Sequence, residues 1–264
     1  MTKTLLVLRA PLYLTCLLAA TACVPGLRRH HYFDKKEQPH AASWGYEGAG
    51  APEHWGELSP DYHLAKDGRR QSPVDITGAS PEGLPPLGFD YREVPVKMVY
   101  NGHSVQENED GNSHLVVGDK RYKLEQFHFH SPSEHTVDGK PFAMELHFVH
   151  EGADGEVAVV SVLIDQGDHN EGYDLVWSKL PDYTNRDVRA AALIRVQDLL
   201  PKRRSYYAYQ GSFTTPPCTE GVRWFVMREP VQLSKAQIDT FRKVIFHNNR
   251  PVQPLYGRAI SESR

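Results

Sequence analysis

From Trp44 onward, apolar and polar positions alternate in short runs broken by Gly, Pro, Asn and Asp, the pattern of strands joined by turns. The clearest runs are residues 96–101, 113–117, 121–130, 144–150 and 157–164. The last reads Val-Ala-Val-Val-Ser-Val-Leu-Ile, apolar toward both faces, and so belongs in the middle of a sheet. Helical spacing is rarer. Ser234 is placed to cap a helix over 235–246, whose Ile238, Phe241, Val244 and Ile245 fall on one side. Asn185 is read in the same way as opening a helix over 186–200. No repeat or linker interrupts this region, so residues 43–262 are expected to form one mostly β domain of the α+β class.

Chemistry enters through two of these runs. In Gln126-Phe127-His128-Phe129-His130, strand alternation turns both histidines to one face and both phenylalanines to the other. A third histidine, His147, lies in the run at 144–150. If the two strands are neighbours, three imidazoles converge, leaving one coordination position open, as a catalytic zinc requires. Gln126 and Glu145 each precede a histidine by two residues on the same face, placed to accept its other ring N–H. The plainer reading is three packed, hydrogen-bonded core histidines. Spacing alone does not choose zinc over iron, copper or nickel.

Composition narrows the rest. At 264 residues, 40% hydrophobic and 24% charged, the chain is long enough for a substantial core. A net charge of −3 gives no broad basic field, so nucleic acid is not an expected partner. Residues 1–23 read as an export signal, with Lys3 and Arg9 before a short apolar core and then Ala20-Thr21-Ala22. Cys23 follows directly, as in a bacterial lipoprotein signal, although Ala20 stands where Leu is usual. Ordinary cleavage near Ala22 is the competing reading. Residues 24–42 are polar and aperiodic, a flexible tether. The expected location is therefore outside the cytoplasm: periplasmic or cell-surface, anchored by lipid at Cys23, or else secreted and soluble.

Taken together, several blocks resemble the α-class carbonic anhydrases. They are Trp44-Gly45-Tyr46, Gln71-Ser72-Pro73-Val74, Asn101-Gly102-His103, the stretches 126–138 and 145–150, and Gly211-Ser-Phe-Thr-Thr-Pro-Pro217, all in family order. The resemblance covers about Trp44 to Arg258. It implies a large, twisted, mainly antiparallel sheet with short surface helices and a conical cleft ending at Zn2+. The reaction it implies is hydration of carbon dioxide to bicarbonate and a proton by a zinc-bound hydroxide. By the same resemblance His128, His130 and His147 are the ligands, and the Asn248 carbonyl orients His130. Thr214 passes a hydrogen bond from the hydroxide to an ionised Glu134, with Thr215 beside it.

Val149, Val159, Phe213, Val222 and Trp224 match the family's apolar substrate wall, with Phe213 narrowing it where Leu is common. His103 matches the proton shuttle, and Tyr46, Asn101 and Gln106 the holders of its water path, Gln106 standing where Asn is common. Many secreted bacterial relatives bridge the Thr-Thr-Pro-Pro-Cys loop to a cysteine just before Gln-Ser-Pro. Residues 63–68 hold no cysteine here, so that bridge is absent and Cys218 is free unless it meets Cys23. The alternative function is a catalytically silent surface binding module on the same scaffold. Retention of all three ligands, Glu134, Thr214 and His103 speaks against it.

Overall fold

The computed structural model describes residues 42–109, 112–181 and 186–264. The export signal, Cys23 and all but the last residue of the tether lie outside these. The strands that carry the architecture are β1 Glu93–Tyr100, β2 Val105–Asn108, β3 Lys120–His130, β4 Met144–Gly152, β5 Val157–Gln166, β6 Asp187–Arg195, β7 Tyr206–Ser212 and β8 Glu220–Met227. Their order across one large sheet is β6-β1-β2-β3-β4-β5-β8-β7, continued by the short strands Ser261–Glu262 and Ser80–Pro81. The pairings from β6 to β5 are antiparallel; β5 and β8 run parallel, and β8 and β7 antiparallel. The sheet is thus mixed but mainly antiparallel.

Both faces of the central strands are covered, which is why β4 is buried along its whole length and β5 over its first eight residues. Period-two alternation sorts their side chains. Phe127, Phe129, Leu146, Phe148, Val160 and Val162 face the larger apolar cluster. Val149, Val159, Leu163, Val222 and Trp224 face a smaller one on the opposite side, and His128, His130 and His147 alternate onto that same side.

The larger face is closed by helix α1, Lys235–Val244, which buries Ile238 and Phe241. Its N-terminus is a capping box: Ser234 Oγ accepts from the Gln237 N–H, and the Gln237 side chain returns to the Ser234 N–H. The helix stops two residues short of the predicted 246. Ile245 is already extended and buried, turning the chain back toward β3.

One predicted element is wrong. Residues 186–200 form not a helix but β6 followed by a 3-10 turn, Val196–Leu199. The Ala-Ala-Ala-Leu run favours a helix locally, yet β1 needs a partner on its outer side. The ladder from Asp187↔Val99 to Arg195↔Glu93 supplies it, with a bulge between Ala190 and Leu193.

Candidate metal centre

The register of β3 and β4 brings the three histidines together: His147 lies directly opposite His128, and Glu145 opposite His130. One ligand-type atom from each of His128, His130 and His147 lies within 4.8 Å of the others. Each ring has one nitrogen already assigned. His128 Nδ1 is 2.8 Å from Gln126 Oε1, His130 Nδ1 2.7 Å from the Asn248 carbonyl, and His147 Nε2 2.7 Å from Glu145 Oε1. These acceptors take N–H bonds and therefore fix the tautomers. The nitrogens left over are Nε2 of His128, Nε2 of His130 and Nδ1 of His147. His130 Nε2 is buried with no hydrogen-bond partner, the kind of orphan that a metal would satisfy.

Burial keeps all three imidazoles neutral, the form in which they ligate. It holds His128 well below the ordinary value, with the neighbouring rings adding to the effect. It lowers His130 to about 4 and lowers His147 as well. The donor set of three neutral nitrogens, with no thiolate, fits a catalytic zinc.

Glu145 is the hub beneath this set. Oε1 accepts from His147, His135 Nδ1 (2.7 Å) and Ser161 Oγ (2.5 Å); Oε2 accepts from the backbone N–H of Glu134 and of His135, both 2.8 Å. Burial alone would raise this carboxyl, but the charges and hydrogen bonds of His135 and His147 hold it well below its usual range. His135, Ser161, Tyr209 and Arg250 were not singled out from the sequence. His135 Nε2 reaches Tyr209 Oη at 2.6 Å, which in turn meets Ser72 Oγ at 2.9 Å. Ser161 is the lone polar residue within the apolar 157–164 run, the one signal that could have found it.

Glu134 sits beside the three histidines. Its Oε1 accepts from the Arg250 backbone N–H at 2.9 Å; its Oε2 is buried, without a hydrogen-bond partner, and 3.9 Å from His147 Nδ1. Burial raises this carboxyl to about 7 against the pull of His147, the Arg250 N–H and the Thr214 side chain. The Arg250 guanidinium is buried too, donating to Gln71 Oε1 and the carbonyls of Ser72 and Ala65. It thereby ties the Gln-Ser-Pro segment to the loop after β3 that carries Glu134.

The predicted wall residues gather as one surface. Val149, Val159, Val222 and Trp224 are buried in the smaller cluster with Phe213 packed against it, and the Trp224 ring lies 4.9 Å from the His147 ring. Thr214 is buried; Thr215 is half-buried, its carbonyl accepting the Cys218 N–H. Cys218 is buried at positive φ, and burial pushes its thiol up to about 11.

The predicted proton-path residues are more scattered. Tyr46 Oη is buried without a partner. The exposed Asn101 spends its side-chain oxygen on its own loop, accepting from the His103 and Ser104 N–H groups. Gln106 Nε2 donates to Asn108 Oδ1 at 2.7 Å. His103 is half-buried and stacked on Trp44, centroids 3.7 Å apart and planes 11° from parallel; burial lowers its imidazole below 6.5.

Comparison with known proteins agrees with this arrangement. The model of the eukaryotic-type carbonic anhydrase family matches residues 50–264. A carbonic anhydrase of Pectobacterium atrosepticum is 43% identical over 218 residues, 82% of this chain and 89% of that one. One from Klebsiella pneumoniae is 40% identical over 225 residues, 84% and 92% of the two chains. The α-carbonic anhydrase of Thermovibrio ammonificans, solved with the inhibitor sulfanilamide, superposes with a TM-score of 0.81 at 45% identity, covering 84% of this chain and all of that one. The chain belongs to this family, whose members are lyases interconverting carbon dioxide and bicarbonate.

Proposed function

We propose that the chain holds zinc between His128, His130 and His147 and there hydrates carbon dioxide reversibly. One observation carries this reading: each of the three rings gives one N–H to a fixed acceptor and leaves its other nitrogen to a common point. Zinc, when bound there, acidifies a coordinated water to a pKa of about 7, and its charge draws the Glu134 carboxyl toward the ionised form. The Thr214 hydroxyl then donates to Glu134, because an ionised carboxylate only accepts, and turns its own lone pair toward the nucleophile. A nucleophile so oriented would face the wall of Val149, Val159, Phe213, Val222 and Trp224. Carbon dioxide is apolar and rests there at little desolvation cost. The Thr214 N–H, with Thr215 beside it, takes an oxygen of the bicarbonate that forms. His103 accepts the proton that each turnover releases and carries it outward, with Tyr46, Asn101 and Gln106 holding the water path.

Zinc analysis alongside stopped-flow hydration by the mature protein tests the reading. About one zinc per chain with hydration is the expected result; a chain that binds zinc but hydrates nothing is the silent module instead.

The location follows from the N-terminal sequence. Residues 1–23 direct export, Cys23 is lipid-modified, and 24–42 tether the enzyme beside the membrane, since more than one acyl chain anchors stably. The buried position of Cys218 favours this over a Cys23–Cys218 bridge, which would have to draw the tether into the packed loop after Thr214. Intact mass and membrane fractionation of wild type and Cys23→Ser decide. A soluble, unlipidated wild type with no titratable thiol would leave the bridge as the better account.

A further inference from the structure

A concavity of about 380 Å³ is bordered by His103. Trp44, Tyr46, Glu47, His103, Phe246 and His247 are among the residues lining it. It holds two imidazoles from distant parts of the chain, His103 on the loop after β1 and His247 on the segment after α1. Neither is placed there loosely. The His103 ring is pinned face to face on Trp44. Asn248, the neighbour of His247, donates from Nδ2 to the His103 carbonyl at 3.1 Å and to the Phe129 carbonyl at 2.9 Å, while its own carbonyl receives His130 Nδ1. One asparagine therefore locks the backbone beside His247 both to the His103 loop and to a metal-ligand strand. His247 itself is exposed, and beside it Phe246 is 75% exposed, an apolar rim to the same cavity.

We propose that His247 is the second station of the proton exit, taking the proton from His103 across this cavity and giving it to buffer. The inference rests on the reading of His103 as the first acceptor. In the transfer an N–H bond of the His103 imidazolium breaks and its electron pair stays on the ring. The proton moves to the lone pair of a His247 ring nitrogen, and the new imidazolium loses it to a base in solution. At about 30 Å³ per water, the cavity has room for roughly a dozen, so a relay through solvent is sterically open. Burial weakens the hold of His103 on its proton, which speeds the handover. An exposed ring is then the better donor to buffer, because bulky bases reach it without entering the cleft.

The test uses the zinc-loaded enzyme as wild type, His247→Gln, His103→Ala and the double variant. In dilute buffer His247→Gln is expected to lower kcat by a few-fold, less than the full general acid–base effect of about 10²–10⁴. Its kcat/KM should be unchanged, concentrated imidazole should restore the rate, and the double variant should be no slower than His103→Ala. A second readout is independent of turnover. Replacing His247 removes a positive charge facing His103, so the His103 ring, followed by NMR, should titrate at higher pH. If His103→Ala slows turnover in dilute buffer while His247→Gln matches wild type, the relay is overturned and the shuttle stands. Should His103→Ala also match wild type, both fall. An unmoved His103 titration, or a drop in kcat/KM for His247→Gln, likewise overturns the relay.

Discussion

The metal cradle and the proton exit are built on opposite terms, although Asn248 touches both. In the cradle, β3 and β4 carry three imidazoles, two buried and one half-buried, and the N–H of each meets a fixed acceptor, that of His130 being the Asn248 carbonyl. Five donors converge on Glu145 alone. At the exit, His103 sits on a turn, half-buried, held by ring stacking and by backbone bonds that leave its imidazole nitrogens unassigned. The difference matches the work. A ligand must keep one tautomer and one direction, so its spare nitrogen is locked. A carrier must change protonation state at every turnover, so locking either nitrogen would oppose it.

The cradle should therefore fail abruptly, and from its centre outward. His147→Ala removes one of three ligands, and the expected result is loss of both bound zinc and hydration, beyond the roughly 10–100-fold typical of an outer partner. Metal analysis with stopped-flow rates checks it; near-normal zinc in that variant would mean the three rings do not share one ion. Glu145→Gln is the next largest effect. An amide replaces one acceptor oxygen with a donor that faces other donors, and His147 loses the partner that fixes its tautomer. Zinc affinity should fall about 10–100-fold, with about 1–3 kcal/mol of stability lost to unsatisfied buried groups. A competitive chelator titration and thermal melts separate the two. If affinity holds while stability drops, Glu145 supports the fold and not the ligand.

The cradle was also the more legible region. His-X-His on a strand and a third histidine in a neighbouring run place themselves by period-two alternation, and the acceptors Gln126 and Glu145 obey the same rule. What alternation cannot supply is contact between distant segments. Nothing local marks Arg250, His135 or Tyr209 as supports, because each acts through partners on other elements; Arg250 alone reaches back to Ala65, Gln71 and Ser72. The same limit produced the error over 186–200. Its helix-favouring alanines are visible in sequence, and the open side of β1 that recruits them into a strand is not. The exit was legible only by resemblance: Asn-Gly-His is a turn like any other, and His247 becomes noticeable only when the fold brings it to the same cavity.

One carboxylate on the strand between the two regions, turned to the larger apolar cluster and away from the metal face, tests how far the cradle's logic extends. Glu107 is on β2, the strand that leaves the His103 loop and pairs with β3, and it is fully buried. Unlike Glu145, its two oxygens share a single backbone donor, the Lys97 N–H, at 2.8 and 2.9 Å. Burial therefore prevails, with nearby Glu109 adding to it, and raises the carboxyl to about 7. The sign follows from linkage. Between the unfolded value near 4.5 and about 7 the folded chain binds the extra proton, so stability is full at acid pH and declines as pH rises through that window. Glu107→Gln keeps an acceptor for Lys97 and cannot ionise, so it should match wild type near pH 4.5 and exceed it by about 2–3 kcal/mol at pH 8. That corresponds to a melting temperature higher by several degrees, at about 2–4 °C per kcal/mol for a chain of this size. Melts of both proteins across the range isolate the group, because every other titration cancels in the difference. A constant difference from pH 4.5 to 8 would show that Glu107 does not ionise in the fold or is as well compensated as Glu145. A variant less stable at pH 8 would show that the charge itself is needed on the core face of β2.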